Sequence, residues 1–480
     1  MLPSQKTKRV LSIFILAMLN VSIMLSLRTL PIVAQLGLSC LFFFAVVALF
    51  FLLPCALVSA ELATGWPKSG GIYIWVREAL GDRFGFFSIW MQWVHNVAWY
   101  PVILSFVAVT LAHVTYPELA ENKVYILTVI LGSFWGMTLL NYLGIKLSSQ
   151  VSSYGVILGT ILPGLFIIGL GAFWIFSDRP IFLNVSSQSL LPNFESMESL
   201  VFLAGLFLAF SGLEVSSSLA GEVKNPQKNY PRAIALAAFI TFFLLVLGAL
   251  SIACILPLDQ INLVSGLMEA LEKFLPTFGL ESIFPFLGGL LIIGALAEVN
   301  SWLISPVKGL HATSLHGNLP PFFQKTNDHG TPTHLLFFQA MIVSITSLVF
   351  LFMPNISSGF WILTVLSAQS YLIMYIMMFI AGVRLRYVKP LVPRTYKIPF
   401  SNKGIWMVSC MGIGASIFAI TIGFTPPEHL EVGSPLFYKL FLIIGLFIMC
   451  AIPLILYQFK KPEWFHSLAQ IHAEKESEHL

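Results

Sequence analysis

Ala209-Phe210-Ser211-Gly212-Leu213-Glu214 interrupts one long apolar run, and Ser26-Leu27-Arg28-Thr29-Leu30-Pro31 interrupts another. Each places a charge, small polar side chains and a helix-breaking residue where a membrane helix would be apolar. Gly212 lets the chain leave helical dihedrals. Pro31 lacks an N–H and disfavours helical geometry at Leu30. A broken helix leaves backbone groups unpaired, which lipid tolerates only where they line a cavity. Ordinary kinks are the alternative, weakened because both breaks carry a charge and fall in matching places.

The surroundings of both stretches set the solvent. The chain has 480 residues, 57% hydrophobic and 10% charged, whereas soluble domains carry about 25% charged residues. So few charges exclude a disordered chain, a coiled coil and an ordinary water-soluble enzyme. A net charge of +4 gives no reason to expect nucleic acid as a partner. The solvent is the lipid bilayer. A crossing helix needs ~20 mostly apolar residues. Twelve runs qualify: 11–37, 39–61, 84–113, 123–143, 151–176, 198–220, 232–257, 282–309, 333–353, 357–383, 404–425 and 437–457. The first is too long for a cleavable signal peptide. Cys40, Cys55, Cys254, Cys410 and Cys450 lie singly in apolar runs, as free thiols do, with neither disulfide nor zinc spacing. No cofactor or metal is expected.

Basic residues orient the chain. With an inner N-terminus, 21 of the 26 Lys and Arg fall on inner segments, four (Lys123, Arg179, Lys273 and Lys439) fall outside, and Arg28 lies within the membrane. Both termini are then cytoplasmic, and the even count of spans keeps the alternation. The division is an inner N-terminus 1–10, a first repeat 11–176, a second repeat 198–383, two further spans within 404–457 and a tail 458–480. Residues 62–83 and 310–332 mix Gly, Pro, His and aromatics and read as inner interfacial segments. Residues 258–281, with Asp259, Glu269, Glu272 and Lys273, read as an outer amphipathic segment. The Gly132/Gly136 and Gly155/Gly159 pairs permit close helix packing, though such pairs are common in membrane helices.

Charge at membrane depth costs ~2.5–3.5 kcal/mol or more at mid-span. Arg28, Glu214 and Glu298 carry that cost. Glu298 falls near the middle of span eight, beside the small residues Gly294, Ala295 and Ala297. It is either a site or proton-linked residue, or a protonated carboxyl bonded to a neighbouring helix. Spans one and six open two five-helix halves. Interrupted helices at matching places in two halves mark an inverted-repeat transporter. The exposed N–H groups of one half-helix suit a carboxylate and exposed carbonyls suit an amine, so an α-amino acid satisfies both.

Several motifs add a resemblance. Glu61-Leu62-Ala63-Thr64, Pro67 and Ser69-Gly70-Gly71-Ile72-Tyr73-Ile74-Trp75-Val76 resemble the stretch after helix two of the amino acid–polyamine–organocation (APC) superfamily. Glu222-Val223-Lys224-Asn225-Pro226 and Tyr230-Pro231-Arg232-Ala233 resemble its loop between helices six and seven. Ile261-Asn262-Leu263, Gly266-Leu267-Met268 and Leu296-Ala297-Glu298-Val299-Asn300-Ser301-Trp302 before Pro306 are similar to the bacterial glutamate/γ-aminobutyrate (GABA) antiporters. The resemblance spans about residues 10–457. It implies an all-α integral membrane protein of twelve helices, a LeuT-type 5+5 inverted repeat plus two, in the bacterial inner membrane. It implies exchange of an acidic amino acid for a related one by alternating access. The implied substrate-binding residues are Met24, Arg28 and Thr29 at the first break; Phe210, Ser211, Gly212 and Glu214 at the second; Glu298 and Trp302 on helix eight; and Tyr371 and Tyr375 on helix ten. The two tyrosines are four apart, on one helical face, where interhelical packing would serve equally well.

The sequence departs from the family twice. Where the family carries an aromatic and acidic stretch in helix one, this chain has Leu27-Arg28-Thr29-Leu30. Arg28 then either clamps a substrate carboxylate or pairs with Glu298 or Glu214. Only about 23 residues follow span twelve, with His466, His472 and His479 among them: a solvated tail, or a short pH-sensitive plug. Span five contains no Lys, which favours exchange over proton symport. The rivals are a symporter of another specificity, a sensor that binds without flux, and a membrane-embedded enzyme. For the enzyme there is neither an H-E-x-x-H nor a G-x-S-x-G motif. Amino acids and lipid are the expected partners, and monomer and dimer are both open.

Overall fold

In lipid an apolar stretch satisfies its backbone N–H and C=O groups by forming a helix. The computed structural model is accordingly helical, with no named strand among the described residues. It describes residues 13–465 apart from 68–69, 178, 187, 193–197, 202, 213, 216–225 and 428–429. Among them, eleven helices are long and apolar enough to cross a membrane: Leu16–Ala34, Gly37–Gly65, Asp82–Thr115, Lys123–Tyr142, Leu147–Phe176, Arg232–Ile255, Glu281–Leu315, Thr333–Phe352, Ile356–Val388, Ser401–Ile422 and Pro435–Gln458. These correspond to eleven of the twelve runs. The twelfth, span six, is described as two short helices, Glu198–Val201 and Leu203–Ala209, after which the chain leaves helical geometry. Most side chains of spans three and ten are buried, whereas most of span twelve faces outward.

Two spans contain a wide turn for a local reason. Residues Ala48–Leu52 and Ile157–Ile161 are π-helical, and Pro54 and Pro163 follow them closely. A proline ring clashes with the carbonyl four residues back. Widening that turn relieves the clash without ending the helix.

The glycine pairs divide. A Cβ on Gly159 would fall 2.1 Å from the backbone N of Gly294, and one on Gly155 would fall 2.4 Å from Ala297 Cβ. Span five therefore lies backbone to backbone against the part of span eight that carries Glu298. Gly132 and Gly136 meet nothing within 4 Å, so this pair packs against no described helix.

The segment 62–83 contains the helix Ile72–Leu80, whose apolar side chains Ile72, Ile74, Trp75 and Val76 are buried while Arg77 and Glu78 stay more exposed. The segment read as amphipathic contains the helix Gly266–Thr277, with Leu267, Met268, Leu271, Phe274 and Leu275 buried. On the side marked by the basic residues, Glu61 receives Arg386 Nε and Nη2, each at 2.6 Å, and the Ile398 amide at 2.9 Å. Arg394 adds its charge at 3.6 Å and lies over the Trp66 ring. The start of the tail is also tied down. Lys460 Nζ meets Asp82 at 2.7 Å and Asn318 at 2.8 Å, and Gln324 donates to the Trp464 carbonyl at 2.7 Å. His466, His472 and His479 lie outside the described residues.

Candidate functional site

The first break lies one step earlier than the proline suggests. Helix Ile13–Met24 ends, Leu25 and Ser26 are non-helical, Leu27–Thr29 forms a 3-10 turn, and helix resumes at Leu30–Ala34. Pro31 sits in the first turn of the second half-helix, where a missing N–H costs nothing, and Leu30 is helical. The proline starts the second half; extended Ser26 makes the break, with φ −121° and ψ 117°. Thr29 Oγ1 donates to the Ser26 carbonyl at 2.7 Å, so Thr29 serves its own backbone.

The second break falls where the sequence places it. Gly212 has φ +108°, open to glycine and strained for other residues. Its amide donates to the Tyr375 hydroxyl at 2.7 Å instead of to a helical carbonyl. Ser211 Oγ returns to the Phe207 carbonyl at 2.9 Å. Phe210 packs edge-on against Phe44 of span two, with ring centres 5.2 Å apart.

The breaks meet. A Cβ on Gly212 would fall 2.6 Å from Ile23 Cγ2 and 3.1 Å from the Trp302 ring. Trp302 Nε1 donates to the Ile23 carbonyl at 3.1 Å, satisfying an acceptor in the last turn of the first half-helix. Ser22 and Ser301 add a 2.9 Å hydroxyl contact between spans one and eight.

Two buried charge groups flank this meeting point. In the first, Glu214 accepts from the hydroxyls of Tyr371 and Tyr375 and from Gln92 Nε2 at 3.1 Å. His95 stacks on Tyr371 at 3.9 Å, bonds Ser367 Oγ through Nδ1 at 3.2 Å and meets Trp302 edge-on. The tyrosines are thus committed to Glu214. In the second, Arg28 and Glu298 are both buried and within electrostatic range of one another. Arg28 therefore neighbours Glu298 rather than Glu214. Its guanidinium lies over Trp99 at 5.6 Å and Phe360 at 5.7 Å. Met24 is buried at the end of the first half-helix.

Gln92, His95, Trp99 and Phe360 escaped the sequence reading. Gln92, His95 and Trp99 recur at helical spacing along span three, a polar stripe in an apolar helix that could have been read as a face. Phe360 carried no such signal.

A family model described as "Amino acid permease" matches residues 10–448. An uncharacterized transporter of Legionella pneumophila is 43% identical over 93% of this chain and 96% of its own length. A glutamate/gamma-aminobutyrate antiporter of Lactococcus lactis is 30% identical over 93% of this chain and 90% of its own. A probable agmatine/putrescine antiporter of the same species is 25% identical over 82% and 83%. These relatives are transporters rather than enzymes. With its spans, its two meeting breaks and this match over most of its length, the chain belongs to the amino acid permease family of the APC superfamily, as an amino-acid transporter of the membrane.

Proposed function

We propose that this chain is an antiporter that exchanges an acidic amino acid such as glutamate for a related amino acid such as GABA, by alternating access, in a bacterial inner membrane with both termini cytoplasmic. The observation that carries the reading is the meeting of the two broken helices at Ile23, Gly212 and Trp302. Half-helix ends at one place offer N–H groups to a carboxylate and carbonyls to an ammonium, beyond the Ile23 carbonyl and Gly212 amide that Trp302 and Tyr375 already engage. The likeness to a named glutamate/gamma-aminobutyrate antiporter supports the substrate pair. The 5+5 division into 11–176 and 198–383 is the matching architectural proposal, with residues 1–10 and 458–480 on the inner side and the last two spans, within 404–457, outside the repeat.

The expected binding residues sort by placement. Gly212 and Trp302 form the meeting point, with Met24, Arg28 and Glu298 expected beside it, while Glu214, Tyr371 and Tyr375 form a hydrogen-bonded group joined to it through the Gly212 amide. Thr29, Ser211 and Phe210 shape the breaks. The test is counterflow into proteoliposomes loaded with unlabelled glutamate, GABA, arginine or agmatine. Labelled glutamate should accumulate against glutamate and GABA. Accumulation only against arginine or agmatine would reject the proposed pair.

A further inference from the structure

Among the described residues of the site, Arg28 is the buried cation with donors left open, and His95 Nε2 is a further buried nitrogen there without a partner. Arg28 is 3% exposed. Its Nε and Nη1 are both buried without a hydrogen-bond partner. Neither nitrogen is therefore bonded to Glu298, although Glu298 lies within electrostatic range. The aromatic faces of Trp99 and Phe360 flank the guanidinium and attract a cation, but they accept no conventional hydrogen bond. A buried charge with donors left open is costly, and a carboxylate is the acceptor that best matches a planar guanidinium. The residue sits in the 3-10 turn directly after extended Ser26, and the Trp99 ring beneath it packs against Trp302 of the meeting point with ring centres 5.6 Å apart.

We propose that Arg28 determines specificity: it receives a second carboxylate, the one on the substrate's side chain, so that dicarboxylic amino acids are bound in preference to their uncharged amides and cationic substrates are rejected. This rests on the reading above that amino acids bind between the broken helices. Glu298, on the opposite helix, supplies the countercharge that keeps the site from binding simple anions. Trp99 and Phe360 hold the guanidinium in place and restrict its access to water, which strengthens its discrimination between a carboxylate and an amide. Lysine would keep the charge at Arg28 but not the planar fork, so Arg28→Lys should retain part of the preference.

The test compares glutamate with glutamine in wild type, Arg28→Lys and Arg28→Met, using exchange kinetics in proteoliposomes and ligand-induced thermal stabilisation in detergent. Wild type should favour glutamate in both. Arg28→Met should lower kcat/KM for glutamate by about 10- to 100-fold, the loss of one charge-assisted hydrogen-bonding group, with the change in KM and glutamine altered by less than about threefold. Arg28→Lys should fall between, which guards against a Met variant that folds poorly. Equal losses for both ligands, or an unchanged glutamate preference, would overturn the assignment. Wild-type stabilisation by glutamate that Arg28→Met abolishes, without flux in either, would uphold Arg28 while rejecting transport. Exchange of neutral amino acids alone would overturn Arg28's role and leave amino-acid transport standing.

Discussion

Trp302 Nε1 donates to the carbonyl of Ile23 at 3.1 Å, fastening span eight to the last turn of the first half-helix. That carbonyl has lost its helical partner because the helix ends at Met24. A buried acceptor left unpaired costs about 1–3 kcal/mol. Trp302→Phe keeps most of the ring and removes the donor. Its exchange rate should fall by about 5- to 100-fold with little change in the amount of folded protein on size-exclusion chromatography.

Gly212 should tolerate no side chain. Its φ is +108°, and a Cβ would fall 2.6 Å from Ile23. Gly212→Ala should abolish exchange or lower the melting temperature by several degrees. Gly132→Ala is the matched control, since nothing lies within 4 Å of that position. It should shift stability by no more than about 0.5 kcal/mol, read as an unchanged thermal unfolding curve in detergent.

The two tyrosines should not be equivalent. Tyr371 donates to Glu214, whereas Tyr375 donates to Glu214 and also accepts the Gly212 amide at 2.7 Å. Tyr375→Phe strands two polar groups and Tyr371→Phe one. The loss of exchange should therefore be larger for Tyr375→Phe, by roughly a further tenfold, in initial-rate measurements on matched vesicles.

Glu61 joins the C-terminal ends of spans two and ten. It takes Arg386 in a bidentate pair at 2.6 Å, with Arg394 at 3.6 Å. Removing one partner of a buried ion pair costs about 3–5 kcal/mol because the other charge is left uncompensated. Glu61→Gln should lower the melting temperature clearly, and the double variant Glu61→Gln/Arg386→Gln should recover part of that loss.

The spans and the second break were legible because hydropathy and glycine chemistry are local. Gly212 required a positive φ, and the sequence displayed it. The first break was located only approximately. Pro31 is as compatible with a helix's first turn as with a helix's end, and the choice was settled by the extended Ser26 and its packing. Glu214, Glu298 and Arg28 stood out by the cost of burying charge. Their partners did not, since Gln92 reaches Glu214 only through the packing of span three against span six, and His95 reaches Tyr371 only through its packing against span ten. The basic residues Arg386 and Arg394 had read as orienting charges. The structure turns them onto Glu61, a pairing between residues more than three hundred positions apart that no local pattern displays.

Exchange is proposed to run through the site where the broken helices meet. Labelled glutamate uptake by purified protein in proteoliposomes, with and without internal unlabelled glutamate, tests it most directly. Uptake should be rapid into loaded vesicles and slight into empty ones. Equal uptake by both would contradict it.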